Sequence, residues 1–99
     1  MLYIDQRQSV LDACVYLQKK QLVVGTAGNV SIRRGDNVII SPSAVDYQHM
    51  TQGDIVVVDL EGNVVEGSLK PSSELPFHLS IYSSSDSQAI VHTHAPAST

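Results

Sequence analysis

Ninety-nine residues, 42% of them apolar, suffice for one small domain around a single core, and nothing in them argues for more than one. Six basic residues against ten acidic ones give a formal charge of −4, and no basic block exceeds the pairs Lys19-Lys20 and Arg33-Arg34, which excludes a cationic face for nucleic acid. The apolar runs fall far short of a membrane span, Met1-Leu2-Tyr3-Ile4-Asp5 lacks the basic region and long apolar core of a signal peptide, and a single cysteine excludes an internal disulfide. The expectation is a cytoplasmic chain that binds neither nucleic acid nor membrane.

From about Gln6 to Gln21, Val10, Cys14 and Leu17 recur at steps of four and three, with Leu11 and Val15 beside them, so the spacing predicts an amphipathic helix. Cys14 falls within that stripe and reads as a packed thiol rather than a nucleophile. Gly25-Thr26-Ala27-Gly28-Asn29 interrupts the helix. Val30-Ser31-Ile32-Arg33 then alternates apolar with polar as a half-buried strand does. Arg33-Arg34-Gly35-Asp36-Asn37 carries the residues that tolerate a tight turn, which makes Val38-Ile39-Ile40 the second arm of a hairpin. Ser41-Pro42-Ser43-Ala44 ends that arm, because Pro42 has no N–H for a sheet ladder. After a turn-rich link, Ile55-Val56-Val57-Val58-Asp59-Leu60 reads as a β-branched strand, and Glu61-Gly62-Asn63 turns it into Val64-Val65-Glu66-Gly67. A second helix is predicted from Ser72 to about Ser84, with Leu75, Leu79 and Tyr82 on one stripe and Pro76 tolerated near the first turn.

The final strand, Ala89-Ile90-Val91-His92-Thr93-His94, delivers two histidines at i and i+2. On a strand their Cα atoms lie ~6.6 Å apart with side chains on one face, close enough for both imidazoles to bind one ion. By itself a His-x-His pair is most simply a strand end with two solvated rings. The chain then stops at Ala95-Pro96-Ala97-Ser98-Thr99, where proline and small residues would ordinarily open the next element, and it reads as interrupted.

Leu69-Lys70-Pro71-Ser72-Ser73-Glu74 places two hydroxyls and a carboxylate at a helix start. Taken alone, this is an acid matched to the helix dipole. The same amides and hydroxyls also suit a phosphate, with Glu74 available as a base. Gly25-Thr26-Ala27-Gly28-Asn29 lets backbone approach a ligand, yet it lacks the Lys-Ser/Thr of a nucleotide-binding loop. His78, one turn beyond Glu74, reads most simply as a hydrogen-bonded structural histidine, with a place at or beside a metal as the alternative. His49 reads as a surface residue.

In order, Gly-Thr-Ala-Gly-Asn, Ser-Pro-Ser-Ala, Lys-Pro-Ser-Ser-Glu and His-Thr-His, with Asp54-Ile55-Val56-Val57-Val58-Asp59 and Glu61-Gly62-Asn63-Val64-Val65-Glu66-Gly67 between them, closely resemble the N-terminal half of the class II aldolase/adducin family. The resemblance runs from the first helix to Thr99. It implies that residues 1–99 are the N-terminal part of one such domain, a three-layer α/β/α fold with a mostly antiparallel central sheet. It further implies a metal-dependent aldehyde-lyase that cleaves a ketose 1-phosphate to dihydroxyacetone phosphate and an aldehyde.

By that resemblance Gly28, Asn29, Ser43, Ala44, Ser72 and Ser73 hold the substrate phosphate, and Zn2+ is bound by Glu74, His92 and His94 plus a third histidine absent from this chain. Glu74 also moves protons during turnover. Ala44 departs from the glycine common at its position, so the backbone contact there is the least secure. Family members assemble as rings of four, and a homotetramer is implied for a full-length protein, while the 99 residues alone are not expected to be competent. A methylthioribulose-1-phosphate dehydratase-like enzyme, a pentulose-phosphate epimerase-like enzyme and a non-catalytic adducin-like module are the competing readings. Glu74 favours the aldolase over the epimerase, and its retention with His92 and His94 disfavours the module.

Overall fold

The computed structural model describes residues 1–20, 28–43 and 49–92, with His92 described by its backbone alone. Helix α1 (Ile4–Lys19) is followed by strands β1 (Asn29–Arg34) and β2 (Asn37–Ile40), a 3-10 turn at Gln52–Asp54, strands β3 (Val56–Asp59) and β4 (Val64–Glu66), helix α2 (Leu75–Ser84) and strand β5 (Ala89–His92). The strands form one antiparallel sheet in the order β4-β3-β2-β1-β5. The last strand therefore crosses back to pair with the first, and α2 spans the sheet to deliver it.

The three-layer arrangement expected from sequence is present, and strand alternation explains it. Ile39 and Val57 point to one face and pack with Val10, Cys14 and Leu17 of α1. Val38, Ile40, Val56 and Val58 point to the other and pack with Leu75 and Tyr82 of α2. Strands β2 and β3 are covered on both sides, which is why their sequences run as unbroken apolar stretches rather than alternating. Burial of each such side chain stabilises the fold by about 1.5–3 kcal/mol. Cys14 is fully buried in the α1 layer, a packed thiol as expected.

Three local expectations are corrected. Helix α1 begins at Ile4 rather than Gln6, because Tyr3 takes the left-handed conformation (φ 57) and its carbonyl accepts the Arg7 N–H at 2.8 Å. Helix α2 begins at Leu75 rather than Ser72. Ser72 and Ser73 instead form a turn in which the Ser72 hydroxyl accepts the Glu74 N–H at 3.2 Å and the Ser72 carbonyl accepts the Leu75 N–H at 3.0 Å, leaving Glu74 at the N-cap. Finally, β1 is not half exposed: Asn29 and Ser31, its polar face, are 3% and 0% accessible because α2 covers them.

The β1–β2 connection is the two-residue turn Gly35-Asp36, with Gly35 at φ 58. A positive φ at the first position matches the twist of the strands, and glycine meets it without a Cβ penalty.

Candidate functional site

Register brings the candidate residues to one end of the sheet. Asn29 opens β1 and pairs with His92 at the end of β5. The Ser41 N–H donates to the Val30 carbonyl at 3.0 Å, and the Ser41 hydroxyl accepts the Val30 N–H at 3.1 Å, so the segment leaving β2 stays beside the start of β1. The Ser72 N–H donates to the Ser41 carbonyl at 2.9 Å and the Ser43 N–H to the Lys70 carbonyl at 2.9 Å, with Pro42 and Pro71 bridging between them. Two prolines face each other there, and the flanking residues supply the hydrogen bonds that prolines cannot. This short ladder ties the Ser-Pro-Ser and Lys-Pro-Ser-Ser-Glu segments together beside Asn29.

Of the residues singled out from sequence, Gly28, Asn29, Ser43, Ser72, Ser73 and Glu74 lie on these adjoining segments. Gly28, Asn29 and Ser72 are buried, Ser43 and Glu74 are half-buried and Ser73 is exposed. Ser72 uses its hydroxyl as an acceptor in the turn, so its proton remains available to a ligand. Thr26, Ala27, Ala44 and His94 lie outside the described residues, as does the His92 side chain. His49 is exposed, in keeping with a surface role.

Beneath Asn29 runs a buried polar chain whose extent the sequence did not disclose. His78, on α2, is fully buried. Its Nδ1 lies 2.6 Å from the Ser31 hydroxyl, its Nε2 bonds the Asn29 amide oxygen, and the Ser31 hydroxyl lies 2.7 Å from the Tyr82 hydroxyl. His78 is thus the hydrogen-bonded structural histidine expected from sequence. In the sequence Ser31 alternates as the outward position of a half-buried strand does, and Tyr82 falls on the α2 stripe. The available signal was the i, i+2 spacing of Asn29 and Ser31 and the i, i+4 spacing of His78 and Tyr82, which put two polar groups on each facing surface. Burial pushes the Tyr82 phenol up from its ordinary pKa, outweighing the Ser31 hydrogen bond and the charge of Arg33, so the hydroxyl keeps its proton.

No three His, Cys, Asp or Glu side chains converge as a metal cage among the described residues. Of the donor set implied for the metal, this chain carries two imidazoles and a carboxylate, ligand types that suit zinc chemically. Its strand-borne member His92 ends beside Asn29, and Glu74 caps α2 on the adjoining segment. At the far end of the sheet a shallow recess is lined by Asp36, Asp59, Leu60 and Glu61. Asp59 is occupied there by its own turn, accepting the Glu61 and Asn63 N–H groups at 2.9 Å each.

Residues 8–99 match the family model described as "Class II Aldolase and Adducin N-terminal domain", and the chain belongs to that family. It is 46% identical over 83 residues to an L-fuculose phosphate aldolase of Methanococcus maripaludis, covering 83% of this chain and 45% of that protein. It is 40% identical over 99 residues to a 5-deoxy-D-ribulose 1-phosphate aldolase of Bacillus thuringiensis serovar kurstaki, covering 97% of this chain and 46% of that protein. Among solved structures an L-fuculose 1-phosphate aldolase superposes with a TM-score of 0.88 at 38% identity, over 93% of this chain and 45% of that one. The chain spans about half the length of the relatives it matches.

Proposed function

We propose that residues 1–99 are the N-terminal part of a single class II aldolase domain, in a zinc-dependent lyase that cleaves a ketose 1-phosphate such as L-fuculose 1-phosphate to dihydroxyacetone phosphate and an aldehyde. The observation that carries this reading is the gathering of the Asn29, Ser43 and Ser72–Glu74 segments with the end of β5 at one end of the sheet. Separate loops meet there because backbone hydrogen bonds join them, and each brings donors fit for an anion.

In this reading the phosphate is held by Asn29, Ser43, Ser72 and Ser73 through their side chains and by Gly28 and Ala44 through their backbone. A pocket of neutral donors binds a phosphate without needing a lysine or arginine, provided several converge on it. Glu74, His92 and His94 would hold the cation, with a further histidine from sequence outside these residues completing the set. A bound divalent cation supplies positive charge to stabilise the enediolate left when the carbon–carbon bond breaks. Glu74 returns a proton to the adjacent carbon in cleavage and removes it in the reverse direction, while the phosphate donors fix that carbon beside the carboxylate.

The relatives are about twice as long, and two histidines with one carboxylate leave a zinc site short of a ligand. By themselves the 99 residues should bind zinc weakly and turn nothing over. The complete protein is read as a cytoplasmic homotetramer. Its test is to express the protein as its gene encodes it, load it with zinc and measure dihydroxyacetone phosphate released from L-fuculose 1-phosphate and from 5-deoxy-D-ribulose 1-phosphate. Release from at least one is expected. Dehydration or epimerisation of a pentulose phosphate without carbon–carbon cleavage, or no activity on any ketose phosphate, would overturn the assignment.

A further inference from the structure

The polarity of the buried chain is fixed from its far end. Tyr82 is 1% exposed and retains its proton, and its hydroxyl meets only the Ser31 hydroxyl among the described residues. A buried O–H must find an acceptor, so Tyr82 donates to Ser31. Among the described residues the Ser31 hydroxyl has one other partner, His78 Nδ1, and its proton goes there. With Nδ1 accepting, the ring carries its proton on Nε2, and Nε2–H donates to an oxygen. The atom of Asn29 that faces Nε2 is accordingly the amide oxygen, as the geometry has it. None of the described hydrogen bonds uses the Asn29 amide nitrogen.

We infer that His78 is a positioning residue for phosphate recognition: by holding the Asn29 amide oxygen it turns both amide N–H donors toward the open end of the sheet where Ser43 and Ser72 lie. This rests on the phosphate-pocket reading of that end. An unrestrained asparagine rotates about its last bond and presents oxygen or nitrogen alike, and the oxygen repels a phosphate. The relay Tyr82, Ser31, His78 removes that ambiguity from inside the core, at a distance from the ligand. Every member comes from β1 or α2, so the docking of α2 on the sheet is also what orients the anion donor.

Two measurements test it in the protein as its gene encodes it. Long-range 15N–1H NMR of the unmodified protein should find His78 in the Nε2–H form, and an Nδ1–H ring would overturn the inference without any variant having to fold. Titration calorimetry with inorganic phosphate should find His78→Phe weakened about tenfold, comparably to Asn29→Ala. His78→Gln, whose amide N–H still reaches the Asn29 oxygen, should stay within about threefold of the parent. A merely structural histidine predicts lower melting temperatures for both His78 variants with unchanged phosphate Kd. If Asn29→Ala loses phosphate while His78→Phe does not, the positioning role fails and the pocket stands. Should neither variant lose phosphate, the pocket reading fails as well.

Discussion

Arg7 is the clearest case in which a single residue sets the frame. Its side chain is 1% exposed, because Arg7 falls three residues before Val10 on the same buried stripe as Cys14 and Leu17, a place where a charged residue does not mark itself as interior. It donates to the carbonyls of Leu2 at 2.6 Å, Gln52 at 3.1 Å and Ile55 at 2.7 Å, and pairs with Glu66. One side chain thereby joins the N-terminus, the 3-10 turn and the edge strand, a use that the planar five-donor fork allows. Arg7→Ala removes a donor from each of those carbonyls and should cost about 1–3 kcal/mol in urea unfolding. Glu66 provides the pH signature. The Leu2 N–H, then the charge of Arg7, hold its carboxyl below the ordinary 4.5. A depressed folded pKa contributes stability that is fully present above the unfolded value and lost as pH falls through the folded one. The urea midpoint should thus decline on acidification below about 4.5. Glu66→Gln should flatten that part of the decline, and an unchanged acid limb would show that the pair contributes nothing.

At the scale of elements, what was legible in the sequence was whatever is encoded locally. The β1–β2 hairpin follows from Gly35-Asp36 between apolar runs, β3 from four consecutive β-branched residues, and β5 from the apolar approach to His92. What was not legible depends on a partner distant in sequence. Ser31 alternates like a surface residue and is buried only because α2 brings His78 and Tyr82 onto it. The α2 start moved to Leu75 because the Ser72 hydroxyl competes for a backbone N–H and makes a turn where the apolar pattern suggested helix. The turn between β3 and β4 shows local encoding at its strongest. The Asn63 N–H, the Glu61 N–H and the Asn63 amide hold the Asp59 carboxyl below its ordinary pKa. Asp59→Ala should therefore speed hydrogen exchange at the Glu61 and Asn63 amides while leaving Ile39 and Val57 in the core unaffected. Equal acceleration in the core would mean that the turn is coupled to global unfolding instead.

For the whole molecule, the order β4-β3-β2-β1-β5 has a chemical consequence. Returning β5 to the side of β1 sets the backbone of His92 next to Asn29, while α2, which must cross the sheet to make that return, carries Glu74 at its start and His78 in its body. On the proposed reading, the metal donors, the phosphate donors and the relay that orients one of them are all products of a single crossover. The sequence displayed the motifs in order. Their meeting required the sheet, and the His94 end of the site lies outside the described residues. The assignment of Glu74 as the proton-moving carboxylate of a ketose-phosphate lyase can be checked by following dihydroxyacetone phosphate in deuterated water by proton NMR with the complete, zinc-loaded protein and its Glu74→Gln variant. The parent should lose one proton beside the carbonyl stereospecifically. The variant should lose at least about a hundredfold in activity with inorganic phosphate still bound. Exchange at the parental rate in Glu74→Gln would contradict the assignment.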